Sequence, residues 1–410
     1  LKHKKMAQVS AWCIISMASI PLIMTLGNSM LIPVLPLLEK ELDISSFQSS
    51  MIITSYSVSS IFLIPIAGYL SDRFGRKMVI LPSLLLALIG GLISGFASWK
   101  IEDPYTWIII GRIIQGVGAA GATPIILPLV GDLYQDDNEK TSSCLGIIET
   151  SNTFGKVLSP ILGSLLAAIL WYLPFFSISF FSLISILLVL IFIKVPKKKE
   201  KPLGLKIFIQ NTRKILHKEG KWLYTTFVIG IYAMLILFGL LFYLSDILEK
   251  THDLHGVKKG LYLAIPLFTL CVSSFITGKV IKGNIELMRK ILLISLGVIG
   301  ITIVFVGYLN DKIFLLLTIS SFIGISIGAM LPTLDALITE NVEKEEKGTI
   351  TSFYSSSRFI GVAAGPPIMS VVMKNNLLVS LYFSGALAII IGVLVFIFIQ
   401  NVKPKKSTLW

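Results

Sequence analysis

Within "LGIIETSNTFGKVLSPILGSLLAA", residues 145–168, an acid and a base stand inside an otherwise apolar run: Glu149 and Lys156. Seven residues is close to two helical turns, so both side chains share one face, roughly 10 Å apart along the axis. Arg112 and Arg358 also lie inside apolar runs. Charges in hydrocarbon are costly and are found paired or lining a polar path. One acid facing three bases suits an anionic or neutral, hydrogen-bonding guest, with Glu149 as the group that takes up and releases a proton. Protonation would free the cations to hold an anionic group; deprotonation would restore the pairing. A permanent salt bridge that only orders the fold is the alternative. Asn28, Ser29, Tyr56, Asn152, Tyr232, Phe238, Tyr243 and Tyr354 are expected around the same cavity. Asp335 and Glu340, near the end of a later apolar run, read as gate or surface groups and stand next after Glu149 as proton carriers.

Other chemistry finds little support. There is no Gly-Lys-Ser/Thr phosphate loop, so ATP is not expected to act here. No Ser/His/Asp set or metal-ligand cluster suggests an enzyme, and no cofactor is expected. The four histidines, His3, His217, His252 and His255, fall outside the apolar runs. Cys13, Cys144 and Cys271 are far apart and read as apolar filler.

The elements that must position these residues are membrane helices. The chain has 410 residues, 54% hydrophobic and 14% charged, with a mean hydropathy of +0.83. The apolar material comes in blocks near the ~20 residues a membrane helix needs. "LLLALIGGLISGF" does not alternate, which excludes a barrel strand. Twelve spans are expected: 10–36, 48–70, 78–98, 105–131, 142–169, 171–193, 222–246, 258–281, 289–309, 312–338, 347–373 and 377–400. The basic N-terminus "LKHKKMAQ" leads into an uncleaved first helix. Residues 194–221, with ten Lys/Arg, form a basic linker between a six-helix bundle at 1–193 and a second at 222–410. Within it, "LGLKIFIQNTRKIL" has the pattern of an amphipathic helix for the membrane surface. The net charge of +13 is a matter of topology, not of nucleic acid. With both termini in the cytoplasm, most of the 36 Lys/Arg fall inside, as membrane insertion favours.

The halves echo each other. "GVGAAGATP" at 116–124 matches "GISIGAMLP" at 324–332, and "FGKVLSP" at 154–160 matches "IGVAAGP" at 360–366. "LLEK" at 37–40 matches "ILEK" at 247–250. One offset of 206 to 210 residues relates all three pairs, which implies an internal duplication.

Three motifs carry a resemblance to the major facilitator superfamily, drug:proton antiporter branch. "GYLSDRFGRK", residues 68–77, resembles its signature loop, with Gly68, Leu70, Asp72, Arg73, Gly75, Arg76 and Lys77 in place. "RIIQGVGAAGA" resembles its fourth-helix motif. "GKVLSPILGS" resembles its fifth-helix antiporter motif through Gly155, Pro160 and Gly163, with Ser159 and Ser164 replacing glycines. The resemblance implies an all-α fold of twelve helices in two pseudo-symmetric bundles, here in the plasma membrane. It implies a monomeric, proton-coupled exporter of small amphipathic compounds such as drugs, antibiotics or siderophores, working by alternating access. An importer, uniporter or flippase of the same fold is the alternative. The loop is expected to be a conformational gate: Arg76 can pair with Asp132, and the resemblance suggests helix eleven as the partner of Asp72. Related exporters of cations often carry an acid in helix one, where this chain has Asn28 and Ser29.

Overall fold

In a computed structural model of the chain, residues 10–134, 138–194, 205–281, 284–342 and 347–399 are described. They form twelve long helices and, among the described residues, no strand. The helices are α1 (Ala11–Glu41), α2 (Ser46–Phe74), α3 (Arg76–Lys100), α4 (Tyr105–Leu133), α5 (Asn138–Ile169) and α6 (Leu173–Phe192). The second set is α7 (Leu205–Lys250), α8 (Gly256–Val280), α9 (Ile285–Val306), α10 (Ile313–Asn341), α11 (Lys347–Lys374) and α12 (Leu377–Phe398).

Proline shapes the two interrupted helices. In α1 a 3-10 turn at Ile32–Val34 separates two α-helical stretches, with Pro33 at the start of the turn and Pro36 at the start of the second stretch. In α4 the helix stops at Ala122 and restarts at Ile126, around Pro124. The start of α2 is fixed by a capping box: Ser45 Oγ accepts from Gln48 N–H, and Gln48 Oε1 accepts from Ser45 N–H. Gly75 has φ +99°, which permits the sharp turn from α2 into α3.

Among the described residues, eleven helices are long and apolar enough to cross a membrane. The other, α11, spans 28 residues but begins with the polar run "TSFYSSSRF", of which Tyr354, Ser356 and Ser357 are buried. Large apolar side chains such as Phe62, Phe180, Phe314 and Ile389 stand on outer faces, as a lipid-facing surface requires. Helix α7 starts at Leu205, inside the stretch expected as linker, and runs 46 residues. The 31 residues from Gly220 suffice to cross hydrocarbon, so its first turns extend beyond that span. Residues 195–204, and the side chains of 205–219 in the expected amphipathic segment, lie outside the described residues.

The duplication is visible in the packing. A Cβ at Gly116 would meet the Tyr56 carbonyl of α2, and one at Gly324 the Pro266 carbonyl of α8. Gly155 packs against Leu22 of α1, and Gly361 against the Ile231 carbonyl of α7. Small residues at matching positions thus let the same helix pairs approach in each half. The halves meet chiefly through α2 against α11 and α5 against α8.

Candidate functional site

Helix α5 brings its charges to the interface of the halves. Pro160 cannot donate to the Lys156 carbonyl one turn back, and Ser159 Oγ takes its place at 3.0 Å. The hydroxyl thus serves where the fifth-helix motif has glycine. Gly163 presses on the Met30 backbone of α1, while the Pro160 carbonyl and Ser164 face Gly260 of α8. One stripe therefore packs against both halves.

Four charged groups gather in mid-bundle. Lys156 lies within electrostatic reach of Glu149, Arg358 and Asp335, with Cys271 of α8 also near. Arg358 of α11 approaches Asp335 of α10 at 3.8 Å, Nη1 to Oδ1. Its guanidinium lies over the buried Tyr354 ring, 5.6 Å from the centroid. On the α5 side, Thr25 Oγ1 of α1 donates to Asn152 Oδ1 at 2.5 Å, leaving Asn152 Nδ2 to approach Glu149 Oε1 at 3.4 Å. Glu149 is exposed, Lys156 and Asn152 are half-buried, and the Asp335 side chain keeps 39% of its surface. The cluster is a polar set shared by both halves, with two carboxylates and two cations.

That composition differs from the one-acid, three-base expectation at two positions. Arg112 is fully buried and does not reach the cavity. It donates to the Gly27 carbonyl (2.8 Å), the Ile52 carbonyl (2.9 Å) and Gln115 Oε1 (2.7 Å), and stacks 4.6 Å over the Tyr56 ring. Its role is to tie α1, α2 and α4 together through backbone acceptors. Asp335 enters the cavity instead. Span ten was expected to end at 338, which put Asp335 near a surface; α10 continues to Asn341, so Asp335 lies deeper. The available signal was an acid only three residues beyond the repeated Pro332. Glu340 stands exposed near the end of α10.

Most of the expected cavity aromatics are wedges between helices. Tyr56 OH donates to the Met24 carbonyl at 3.3 Å, Tyr232 OH to the Ser384 carbonyl at 3.0 Å, and Tyr243 OH bonds Asn310 Oδ1. Phe238, Asn28 and Ser29 are likewise buried. Only Tyr354 touches the cluster, as the surface under Arg358.

The signature loop forms its own network. Buried Arg76 reaches Asp132 Oδ2 (Nε, 2.8 Å), Asp72 Oδ1 (Nη1, 2.7 Å) and Ser71 Oγ (2.7 Å). Gly68 lies beside Ser352 of α11, whose Oγ would stand 3.1 Å from a Cβ added at that position. Lys77 donates to the Leu190 and Ile193 carbonyls at the end of α6. Arg73 turns outward over Phe74. The expected Arg76–Asp132 pair is thus present, and Asp72 joins it from the same loop. This end of the bundle is called the loop end below, and the opposite end the far end.

The far end is closed by contacts between halves. Lys259 Nζ donates to the Pro33 carbonyl of α1 at 2.6 Å, and Ser245 Oγ to the Ile32 carbonyl at 3.0 Å. Nearer the middle, Thr54 Oγ1 of α2 donates to the Ala363 carbonyl of α11 at 2.7 Å.

A family model described as Major Facilitator Superfamily matches residues 17–288 and 287–409. The chain is 51% identical over 395 residues to the Bacillibactin exporter of Bacillus subtilis (strain 168), covering 96% of this chain and 97% of that protein. It is 23% identical over 376 residues to Multidrug resistance protein 2 of the same organism, covering 89% and 90%. Among solved structures, the human organic anion transporter MFSD10 (TETRAN) superposes with a TM-score of 0.73 at 18% identity, covering 94% of this chain and 99% of that one.

Proposed function

Because the chain belongs to the major facilitator superfamily and is a multi-pass membrane transporter, we propose that it exports small amphipathic compounds, siderophores and drugs among them, in exchange for protons. The observation that carries this reading is the mid-bundle cluster. Glu149 and Lys156 come from one half, Asp335 and Arg358 from the other, and each keeps part of its surface uncovered while the far end is closed. A site that joins two halves which rock about it is what alternating access needs. The high identity to a bacillibactin exporter supports the direction and the cargo class.

The sign of the coupling selects the cargo. Exchange requires cargo and proton to compete for the protein. A carboxylate that accepts hydrogen bonds from cargo stops doing so once protonated, so the two compete. An anionic cargo would bind best when protonation leaves Lys156 and Arg358 in excess, and the two would then move together. The sequence expectation of freed cations holding an anionic group has this second sign. With Arg112 withdrawn and Asp335 added, the cavity suits a neutral cargo rich in O–H and N–H donors. Glu149 and Asp335 accept from it, and Lys156 and Arg358 offset their charge.

The loop end faces the cytoplasm, by the basic loops gathered there, and the chain works as a monomer in the plasma membrane with both termini inside. The closed far end then belongs to an inward-facing state. The test is purified protein in liposomes under an imposed pH gradient, with bacillibactin, the compound named in the relative, as the first probe. Uptake against its gradient that collapses with the pH gradient is expected. Movement indifferent to the gradient removes proton coupling, and co-directional movement of proton and probe makes the chain a symporter.

A further inference from the structure

The repeated "LLEK" and "ILEK" end α1 and α7, and the transport cycle proposed above leaves them without a role. Their dipeptides Glu39-Lys40 and Glu249-Lys250 meet at the far end in reciprocal register. Lys40 Nζ pairs with Glu249 Oε1 at 3.1 Å, and Lys250 Nζ pairs with Glu39 Oε2 at 3.5 Å. Each half thus lends its lysine to the acid of the other.

Burial divides the labour in the same way twice. The acids are the buried members, Glu39 at 12% and Glu249 at 5% exposure, while Lys40 and Lys250 keep 60% and 47%. Both acids are anchored within their own half. Glu39 accepts from Ser46 Oγ at 2.9 Å and Ser49 Oγ at 2.8 Å, at the start of α2. Glu249 accepts from Lys259 Nζ at 2.7 Å, at the start of α8. A fixed acid and a reaching lysine are the parts of a contact that can part and re-form, since a long, solvated lysine loses little on release.

We propose that this duplicated Leu-Glu-Lys segment is a reciprocal ion-pair latch: it closes the far end, and both of its cross-half bonds break when that end opens. The two bonds are not equal. Lys250 is also held at home by Asp246 at 2.5 Å, so it gives less to Glu39 than Lys40 gives to Glu249. Lys40–Glu249 is therefore the dominant tie.

The proposal rests on the alternating-access reading, but its test needs neither cargo nor gradient. In a variant with Cys13, Cys144 and Cys271 replaced by serine, Asn152→Cys places one thiol in the cavity. A membrane-impermeant maleimide is applied to whole cells and to inverted vesicles, so the side carrying the far end is identified by the result. From that side, Lys40→Glu and Glu249→Lys are each expected to raise the labelling rate about tenfold, the effect of about 1.4 kcal/mol on the open population. The exchanged pair Lys40→Glu with Glu249→Lys is expected to label more slowly than Glu249→Lys alone, since the two exchanged charges pair again although Lys259 still lacks its acid. Lys250→Glu is expected to raise it less than Lys40→Glu. Labelling that stays within about twofold of the parent in the single reversals overturns the latch, as does an exchanged pair that labels as fast as Glu249→Lys alone. Loss of cargo transport with this labelling pattern intact would count against the function alone.

Discussion

The far end and the mid-bundle cluster are both built from acids and bases and use them in opposite ways. At the far end Lys259 and Glu249, both at most 5% exposed, touch at 2.7 Å, and Lys40 adds a second contact at 3.1 Å. In the cavity the closest acid–base approach among the described residues is 3.8 Å, between partners that keep 21% and 39% of their surface. A tight, buried pair resists exchange, because parting it strands a desolvated charge. A loose, hydrated set yields to a proton or a guest at little cost. On the proposed cycle, the contrast separates ion pairs that hold a state from those that exchange proton and cargo.

The largest expected effect lies in the loose set. Glu149→Gln is expected to insert and fold, yet to lose proton-driven transport by about a hundredfold, read as initial rate in liposomes under a fixed pH gradient. A wild-type rate would place the exchange elsewhere and blur the contrast. Asp335→Asn comes next, with a loss of about tenfold, because Arg358 then loses its nearest acid. An effect equal to or above that of Glu149→Gln would make Asp335 the principal proton carrier.

The tight contacts are expected to respond in stability more than in coupling. Arg112→Lys removes the fork that spans two carbonyls and Gln115, at a cost of about 1–3 kcal/mol seen in thermal unfolding of the purified protein. Gly163→Leu drives a side chain into the Met30 backbone, costing about 1–3 kcal/mol in the same assay. Smallest in stability is Arg76→Ala, which removes the ties from Arg76 to Asp72 and Asp132 at the loop end. There the expected outcome is normal insertion with slowed switching, read as a severalfold lower rate with the apparent affinity unchanged.

Much of this was legible in the chain. Twelve apolar runs, the duplication and the signature loop are patterns of local sequence, and the Arg76–Asp132 pair followed from two helix ends that must lie together. The cavity was half legible. Glu149 and Lys156 are seven residues apart on one helix, so periodicity alone puts them on one face. Arg112 misled because a buried cation suggests an acid partner, and here carbonyls of α1 and α2 with Gln115 take up its Nε and Nη1 instead; no spacing in the sequence encodes that. Asp335 was undervalued because its depth depends on where α10 ends. The aromatics could not be sorted, since a tyrosine wedged between helices and one lining a cavity read alike. The echo of the two Leu-Glu-Lys segments was visible, but that they face each other in exchange is a fact of the folded pair.

The most direct test of the competition between cargo and proton is the proton change on binding itself. Purified protein in weakly buffered detergent solution, with a pH-indicating dye, is titrated with bacillibactin beside the Glu149→Gln variant. The account predicts saturable proton release by the wild-type protein and a loss of that release in the variant. Proton uptake on binding would contradict it, because cargo and proton would then favour the same state.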